Sequence, residues 1–144
     1  MSINLNLQII TPSKISFTGE VKSITIPGTV GSFQILKDHA PLISTFEIGL
    51  LKVEKFDKII DYYATCGGTV EVLENQVMVL ADAIELAHEI DVERAEKAKQ
   101  RAEERLANKE SSTDIERAQT ALKRAVNRLE IVEKYVAGLK TSIN

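Results

Sequence analysis

From Asp91 to Ala137 the chain contains neither proline nor glycine, the two residues that most readily end a helix. Before Ile84, by contrast, lie all three prolines, six of the seven glycines and six of the seven aromatic residues, while every arginine stands at or after Arg94. The chain therefore changes character across the stretch Ile84 to Ala95. Two architectures are expected, one over residues 1–87 and one over residues 88–144.

The first of these reads as many short strands. Leu5, Leu7 and Ile9 alternate with polar neighbours, the period-2 signature of a half-buried strand, and Thr11-Pro12-Ser13 stops it. Phe17-Thr18-Gly19 reads as a strand end with a turn, Val21 to Ile26 as a strand, and Pro27-Gly28-Thr29-Val30-Gly31 as a loop. Extended structure resumes from Ser32 to Leu36, and Lys37 to Pro41 is a second loop. Leu42-Ile43-Ser44 and Leu50 to Val53 look like strands around Gly49, and Ile59 to Thr65 is rich in β-branched and aromatic residues before Gly67-Gly68 breaks it. Val70-Glu71-Val72 and Val77-Met78-Val79, joined through Glu74-Asn75, form a hairpin pattern. Strands at this spacing argue for an antiparallel sandwich or barrel.

The second half is helical. Ala95, Ala98, Ala102 and Leu106 mark one apolar stripe, and Asn108 to Ser112 interrupts it. Thr113-Asp114-Ile115-Glu116 has the form of a capping box opening another helix, whose stripe is Ile115, Ala118, Leu122, Ala125, Leu129, Val132 and Val136. Two helices joined by a short polar link make an antiparallel hairpin. Its seam is rich in alanine, and a buried methyl contributes only about 0.8 kcal/mol, so the hairpin is expected to be held weakly and to be open to other partners. Arg117, Arg124 and Arg128 share one face of the second helix. The segment from Tyr135 to Asn144 carries no helix stop before Gly138 and reads as a frayed end or a contact with another chain.

Composition and charge exclude several functions. At 44% apolar and 27% charged residues the chain is that of a globular protein, and the net charge of −3 argues against a general nucleic-acid binder. The average hides an asymmetry: residues 1–90 carry six Lys and Arg against eleven Asp and Glu, and residues 91–144 twelve against ten. Met1-Ser2-Ile3-Asn4 lacks a basic region and a long apolar run, so no secretory signal is expected, and nothing approaches the ~20 apolar residues of a membrane span. The single Cys66 reads as a packed thiol in a reducing compartment. His39 and His88 are too few for a metal centre, no nucleophile motif accompanies Asp38 and His39, and the glycines match neither the P-loop nor the dinucleotide fingerprint. Neither catalysis nor a metal is expected.

Taken in order, Thr11-Pro12, Ile26-Pro27-Gly28 with Gly31, Ile35-Leu36, His39-Ala40-Pro41-Leu42, Gly67-Gly68 with Glu71-Val72, Val79-Leu80-Ala81 and Ile90-Asp91-Val92-Glu93-Arg94-Ala95 form a series. With Ala121-Leu122-Lys123-Arg124-Ala125 and Asn127-Arg128-Leu129 closing it, that series resembles the epsilon subunit of the bacterial F-type ATP synthase along nearly the whole chain. The resemblance implies a sandwich of about ten strands followed by a helical hairpin. It implies a non-catalytic rotor subunit at the cytoplasmic face of the bacterial membrane, attached only through the complex, with the sandwich joining the gamma shaft to the c-subunit ring. The hairpin would fold down or extend toward the catalytic beta subunits and there hinder ATP hydrolysis.

No cofactor is required by this resemblance, but in some bacterial members the folded hairpin binds ATP as a regulatory ligand. The corresponding positions here are Glu85, Asp91, Arg94, Arg124 and Arg128. Guanidinium groups suit phosphate oxygens and carboxylates accept from nucleoside donors. Asp91 also stands where a helix N-cap belongs, with Arg94 placed to pair back to it, and both readings stay open. Apart from the resemblance, the pattern also fits an independent β-sandwich adaptor that uses its helical hairpin to bind a partner protein.

Overall fold

The computed structural model describes residues 4–108 and 112–137, without the side chains of 112, 113 and 137. The chain divides into two compact units, Met1–Leu86 and Ala87–Asn144.

In the first unit eight strands are joined in one hydrogen-bonded system: β1 Leu5–Ile10, β2 Ile15–Val21, β3 Ser23–Gly28, β4 Gly31–Leu36, β5 Leu42–Glu54, β6 Ile60–Leu73, β7 Gln76–Ala81 and β8 Ile84–Leu86. Their order is β2-β1-β7-β6-β5-β3-β4, with β8 on β6. Every pairing is antiparallel except that of β1 with β7. The two long strands explain how eight strands make two layers. The first part of β5 pairs with the last part of β6 beside β7, β1 and β2, whereas the last part of β5 and the first part of β6 lie between β3 and β8. Counted by layer, β5 and β6 each serve twice, and the ten segments expected are eight continuous strands.

The bend between layers falls where the sequence suggests a break. Gly67 and Gly68 sit inside β6 with φ of 101° and 155°, and a Cβ at Gly68 would overlap the Leu80 carbonyl oxygen. They turn a strand rather than end it. Gly19 likewise lies within β2, opposite Leu7, and β5 runs through Gly49, so the separate strands expected around these glycines are continuous. Val21 ends β2, and the strand expected over Val21 to Ile26 begins instead at Ser23 and runs on through Pro27 to Gly28. The hairpin through Glu74-Asn75 forms as expected: both residues take positive φ, 48° and 63°, as a two-residue type I′ turn requires.

Both layers turn their alternate residues inward. Leu5, Leu7, Ile9, Val21, Val70, Val72, Val77 and Val79 from one meet Ile24, Ile26, Ile35, Leu51, Val53 and Tyr63 from the other in a single buried cluster. At roughly 1.5–3 kcal/mol for each large apolar side chain removed from water, this cluster is the main stabilising term of the unit.

In the second unit a 3-10 turn, Ala87–Glu89, leads into α1 Val92–Asn108, and α2 Ser112–Val132 continues into a π-helical turn, Glu133–Ala137. The π turn carries helix through the start of the segment that reads as a frayed end; residues 138–144 lie outside the described residues. The helices pack along the expected stripes. Ala95, Ala102, Ala118 and Ala125 are at most 2% exposed, and Ile131, outside the expected stripe, is also buried. Small side chains on both seams let the backbones approach closely. α2 starts at Ser112, one residue ahead of the capping box read at Thr113, whose side chain lies outside the described residues.

Candidate functional site

β8 pairs with Tyr63–Thr65 and sets Glu85 opposite Ala64, so Glu85 belongs to the first unit, half-buried and already engaged with a neighbour. The other four candidate residues belong to the second unit.

Asp91 starts α1. Its Oδ1 accepts the Arg94 backbone N–H at 3.1 Å, and its carbonyl accepts the Ala95 N–H at 3.0 Å. This is the geometry of an N-cap, worth typically ~1 kcal/mol, and the carboxylate also sits favourably at the positive end of the helix dipole. The group of Arg94 that meets Asp91 is thus its backbone amide, and both side chains are exposed.

Arg124 and Arg128 lie one turn apart on α2, the first exposed and the second half-buried with a partner of its own. The register of the hairpin relates them to Arg94. Near the helix–helix link, Arg105 and Asn108 of α1 and Asp114 and Arg117 of α2 line a shared recess of about 450 Å³. Eleven residues separate Arg94 from Arg105 and eleven separate Arg117 from Arg128, a climb of ~16 Å on each helix at 1.5 Å per residue. Arg94 is therefore level with Arg128 and near Arg124, at the end where the π turn meets the 3-10 turn. Arg117 stands at the other end. The structure thus brings Asp91 together with the backbone of Arg94, and the hairpin register sets Arg94 level with Arg128 and one turn from Arg124 along the axis.

His39 is half-buried, its Nδ1 2.6 Å from the Ala40 carbonyl oxygen, and Cys66 is half-buried on β6 with its N–H on the Ala83 carbonyl at 3.0 Å. Among the described residues no group of three or more His, Cys, Asp or Glu could hold a metal ion, and no helix is long and apolar enough to cross a membrane.

One surface escaped the sequence reading: the outer side of the layer formed by β2, β1, β7, β6 and the start of β5. Ile15, Ile43, Leu73, Met78 and Leu80 point outward there at 59%, 75%, 51%, 39% and 47% exposure. The signal was present in Gln76–Ala81, where Met78 and Leu80 fill the phase that a one-sided strand gives to polar residues.

Both units match family models of the ATP synthase delta/epsilon chain, the β-sandwich domain over residues 4–87 and the long α-helix domain over residues 88–133. The ATP synthase epsilon chain of Desulforamulus reducens is 43% identical over 133 residues, which cover 92% of this chain and all of that one. The chain belongs to the delta/epsilon family of ATP synthases. Epsilon chains of Pelotomaculum thermopropionicum and Salinibacter ruber are 47% and 45% identical, over 72% and 74% of this chain and 76% of each relative. Among solved structures, a chain of the Euglena gracilis mitochondrial ATP synthase (OSCP/F1/c-ring) superposes with a TM-score of 0.76 at 19% identity, covering all of this chain and 84% of its own. A chain of the Tetrahymena thermophila mitochondrial ATP synthase central stalk and c-ring gives 0.63 at 15% identity, over 87% of this chain and 93% of its own. At these identities the likeness is one of fold alone.

Proposed function

We propose that this chain is a non-catalytic rotor subunit of an F-type ATP synthase, its sandwich joining gamma to the c-subunit ring and its hairpin restraining ATP hydrolysis at the catalytic beta subunits. The observation that carries the reading is the family match running through both units in order, over residues 4–87 and 88–133. Support also comes from the solved likenesses, which are chains of ATP synthase assemblies that include a c-ring. The complex would hold the subunit peripherally at the cytoplasmic face of the bacterial membrane.

The division of labour follows from the build of the two units. The sandwich has a large core of its own and can act as a rigid mount. A hairpin closed by alanine contacts has little apolar area to lose on moving, so its alternative placements lie within a few kcal/mol and small differences in partner contact select between them.

ATP is the regulatory ligand that fits the hairpin. Arg94, Arg124 and Arg128, within one turn of each other along the hairpin, would hold its phosphates. Asp91 keeps Oδ1 on the cap and offers its second oxygen to nucleoside donors. The ligand would supply only binding energy, favouring the hairpin form in which those groups converge.

The test is reconstitution. Core complex lacking this subunit is combined with the full chain or with a chain ending at Ile90, and ATP hydrolysis and proton-driven synthesis are measured. The full chain is expected to lower hydrolysis severalfold and the shortened chain to restore it, both supporting synthesis. If neither chain joins the complex, the rotor reading is wrong.

A further inference from the structure

Ile131 is out of phase with the seam of its own hairpin. Ala118 and Ala125 mark the side of α2 that meets α1, and Ile131, six residues beyond Ala125, lies about 120° round the helix from it. It is nevertheless only 3% exposed. The 3-10 turn Ala87–Glu89, which opens the second unit, packs against α2 and against the π turn that continues it. Ala87 is buried, and so is Ile90, whose N–H closes the turn on the Ala87 carbonyl at 3.3 Å. Ala87, Ile90 and Ile131, none of them part of the alanine seam, are therefore buried where the chain enters the hairpin.

Register sets these residues at one end. The alignment that makes Arg94 level with Arg128 also makes Asp91 level with Ile131, since each lies three residues from its reference toward the open end of the hairpin. Ile90 is fixed from the α1 side as well. With Asp91 as N-cap, Ile90 stands just before the cap and Ala95 at the fourth position of the helix, the pair that forms a hydrophobic staple, and both are buried. An isoleucine removes several times the apolar area of an alanine methyl from water, so this end can hold the hairpin where alanine contacts alone hold it weakly.

We infer that Ala87–Ile90 is a clasp: it locks the open end of the hairpin by seating Ile131, and α2 leaves α1 only after Ile131 and Ile90 are both uncovered. Its consequence for control rests on the rotor reading above, in which an opened hairpin reaches the catalytic beta subunits. The clasp then sets the population of the opened form, because a change on either side of it shifts the same equilibrium.

The test uses the full-length chain and its Ile131→Ala, Ile131→Val, Ile90→Ala and doubly substituted Ile90→Ala/Ile131→Ala forms, each checked by circular dichroism. Amide exchange over residues 118–132 is expected to quicken about thirtyfold or more in Ile131→Ala and only a few fold in Ile131→Val, following the buried methyl groups removed. Ile90→Ala should quicken the same amides although it lies outside α2. The double variant should exchange little faster than the looser single one, because either change alone opens the clasp. In core complex lacking the native subunit, Ile131→Ala and Ile90→Ala should each lower ATP hydrolysis severalfold further than the parent does, and Thr120→Ala, exposed on α2, should act as the parent. Parent-like exchange in Ile131→Ala, or effects of the two changes that simply multiply, would overturn the clasp. Quickened exchange with parent-like hydrolysis would overturn its role in control. A parent chain that does not restrain hydrolysis would sink the hairpin's part in the rotor reading, while the clasp, read from exchange in the isolated chain, would stand.

Discussion

Asp38 and Asn75 grip each other reciprocally: the Asp38 backbone N–H donates to Asn75 Oδ1 at 2.7 Å, and Asn75 Nδ2 donates to Asp38 Oδ1 at 3.1 Å. Both take positive φ, 64° and 63°, a conformation that Asn and Asp tolerate better than other non-glycine residues. Because the Asn75 carbonyl also accepts the Asn6 N–H at 2.8 Å, one residue ties the β6–β7 turn to the loop before β5 and to the start of β1. Asn75→Ala removes the link and forces alanine into a left-handed turn. It should cost about 1–2 kcal/mol in denaturant unfolding, whereas Asn75→Gly, which relieves the backbone, should cost less. A double-mutant cycle with Asp38→Ala isolates the coupling.

Gly68 makes a sharper prediction. Its φ of 155° and the Leu80 carbonyl against its Hα leave no room for a methyl group. Gly68→Ala must open the β6–β7 pairing at the bend, so a loss of more than about 3 kcal/mol is expected. The measurement is urea unfolding followed by tyrosine fluorescence; near-parent stability would mean that the bend is not held by this contact.

The buried cluster of the sandwich is drawn entirely from residues 5 to 81, with Ile84 and Leu86 packed against it. A chain ending at Ala87 therefore retains every strand and should unfold in a single cooperative transition, with dispersed amide signals by NMR. A collapsed or aggregated product would show that the mount depends on the hairpin.

These elements also show what the residues disclose by themselves. Strand and helix halves were legible because period-2 alternation in Leu5–Ile10 and the alanine stripes of Ala95–Ala102 and Ala118–Ala125 are local signals. The number and continuity of strands were not. Gly19, Gly49 and Gly67-Gly68 read as breaks because glycine marks both turns and bends, and only cross-strand partners, such as Leu80 beside Gly68, decide between them. Of the candidate site, the Asp91 cap was legible from spacing, since a cap acts within one turn. The level shared by Arg94 and Arg128 depends on hairpin register, and the apolar outer face depends on five strands from distant parts of the sequence lying side by side.

On the rotor reading, Lys123, Arg124 and Arg128 put positive charge on the C-terminal half of α2, where the hairpin would meet the catalytic subunits. Lys123 and Arg124 are exposed, so their long-range attraction is screened by salt. Reversing all three to Glu should relieve inhibition of hydrolysis severalfold at low ionic strength and less at high, read from steady-state ATPase assays of the reconstituted complex. Unchanged hydrolysis would leave the chain as a structural coupler alone.

Capping and nucleotide binding at Asp91 separate by a single atom. Asparagine caps a helix as well as aspartate does, since its side-chain oxygen accepts the same Arg94 N–H, but it carries no charge and offers no second carboxylate oxygen. Asp91→Asn should therefore leave the thermal stability of the hairpin within a few tenths of a kcal/mol of the parent, whereas Asp91→Ala should lose about 1 kcal/mol. If ATP is held at this end of the hairpin, millimolar ATP should slow amide exchange over residues 91–108 and 112–136 in the parent. Under 100-fold excess over the dissociation constant, that protection corresponds to about 2.7 kcal/mol. Asp91→Asn, Arg124→Ala and Arg128→Ala should each abolish most of it, and Arg117→Ala, at the opposite end of the hairpin, should weaken it least. Exchange that is blind to ATP in the parent, with Asp91→Asn as stable as aspartate, would assign Asp91 to the cap and leave control of the hairpin to protein partners.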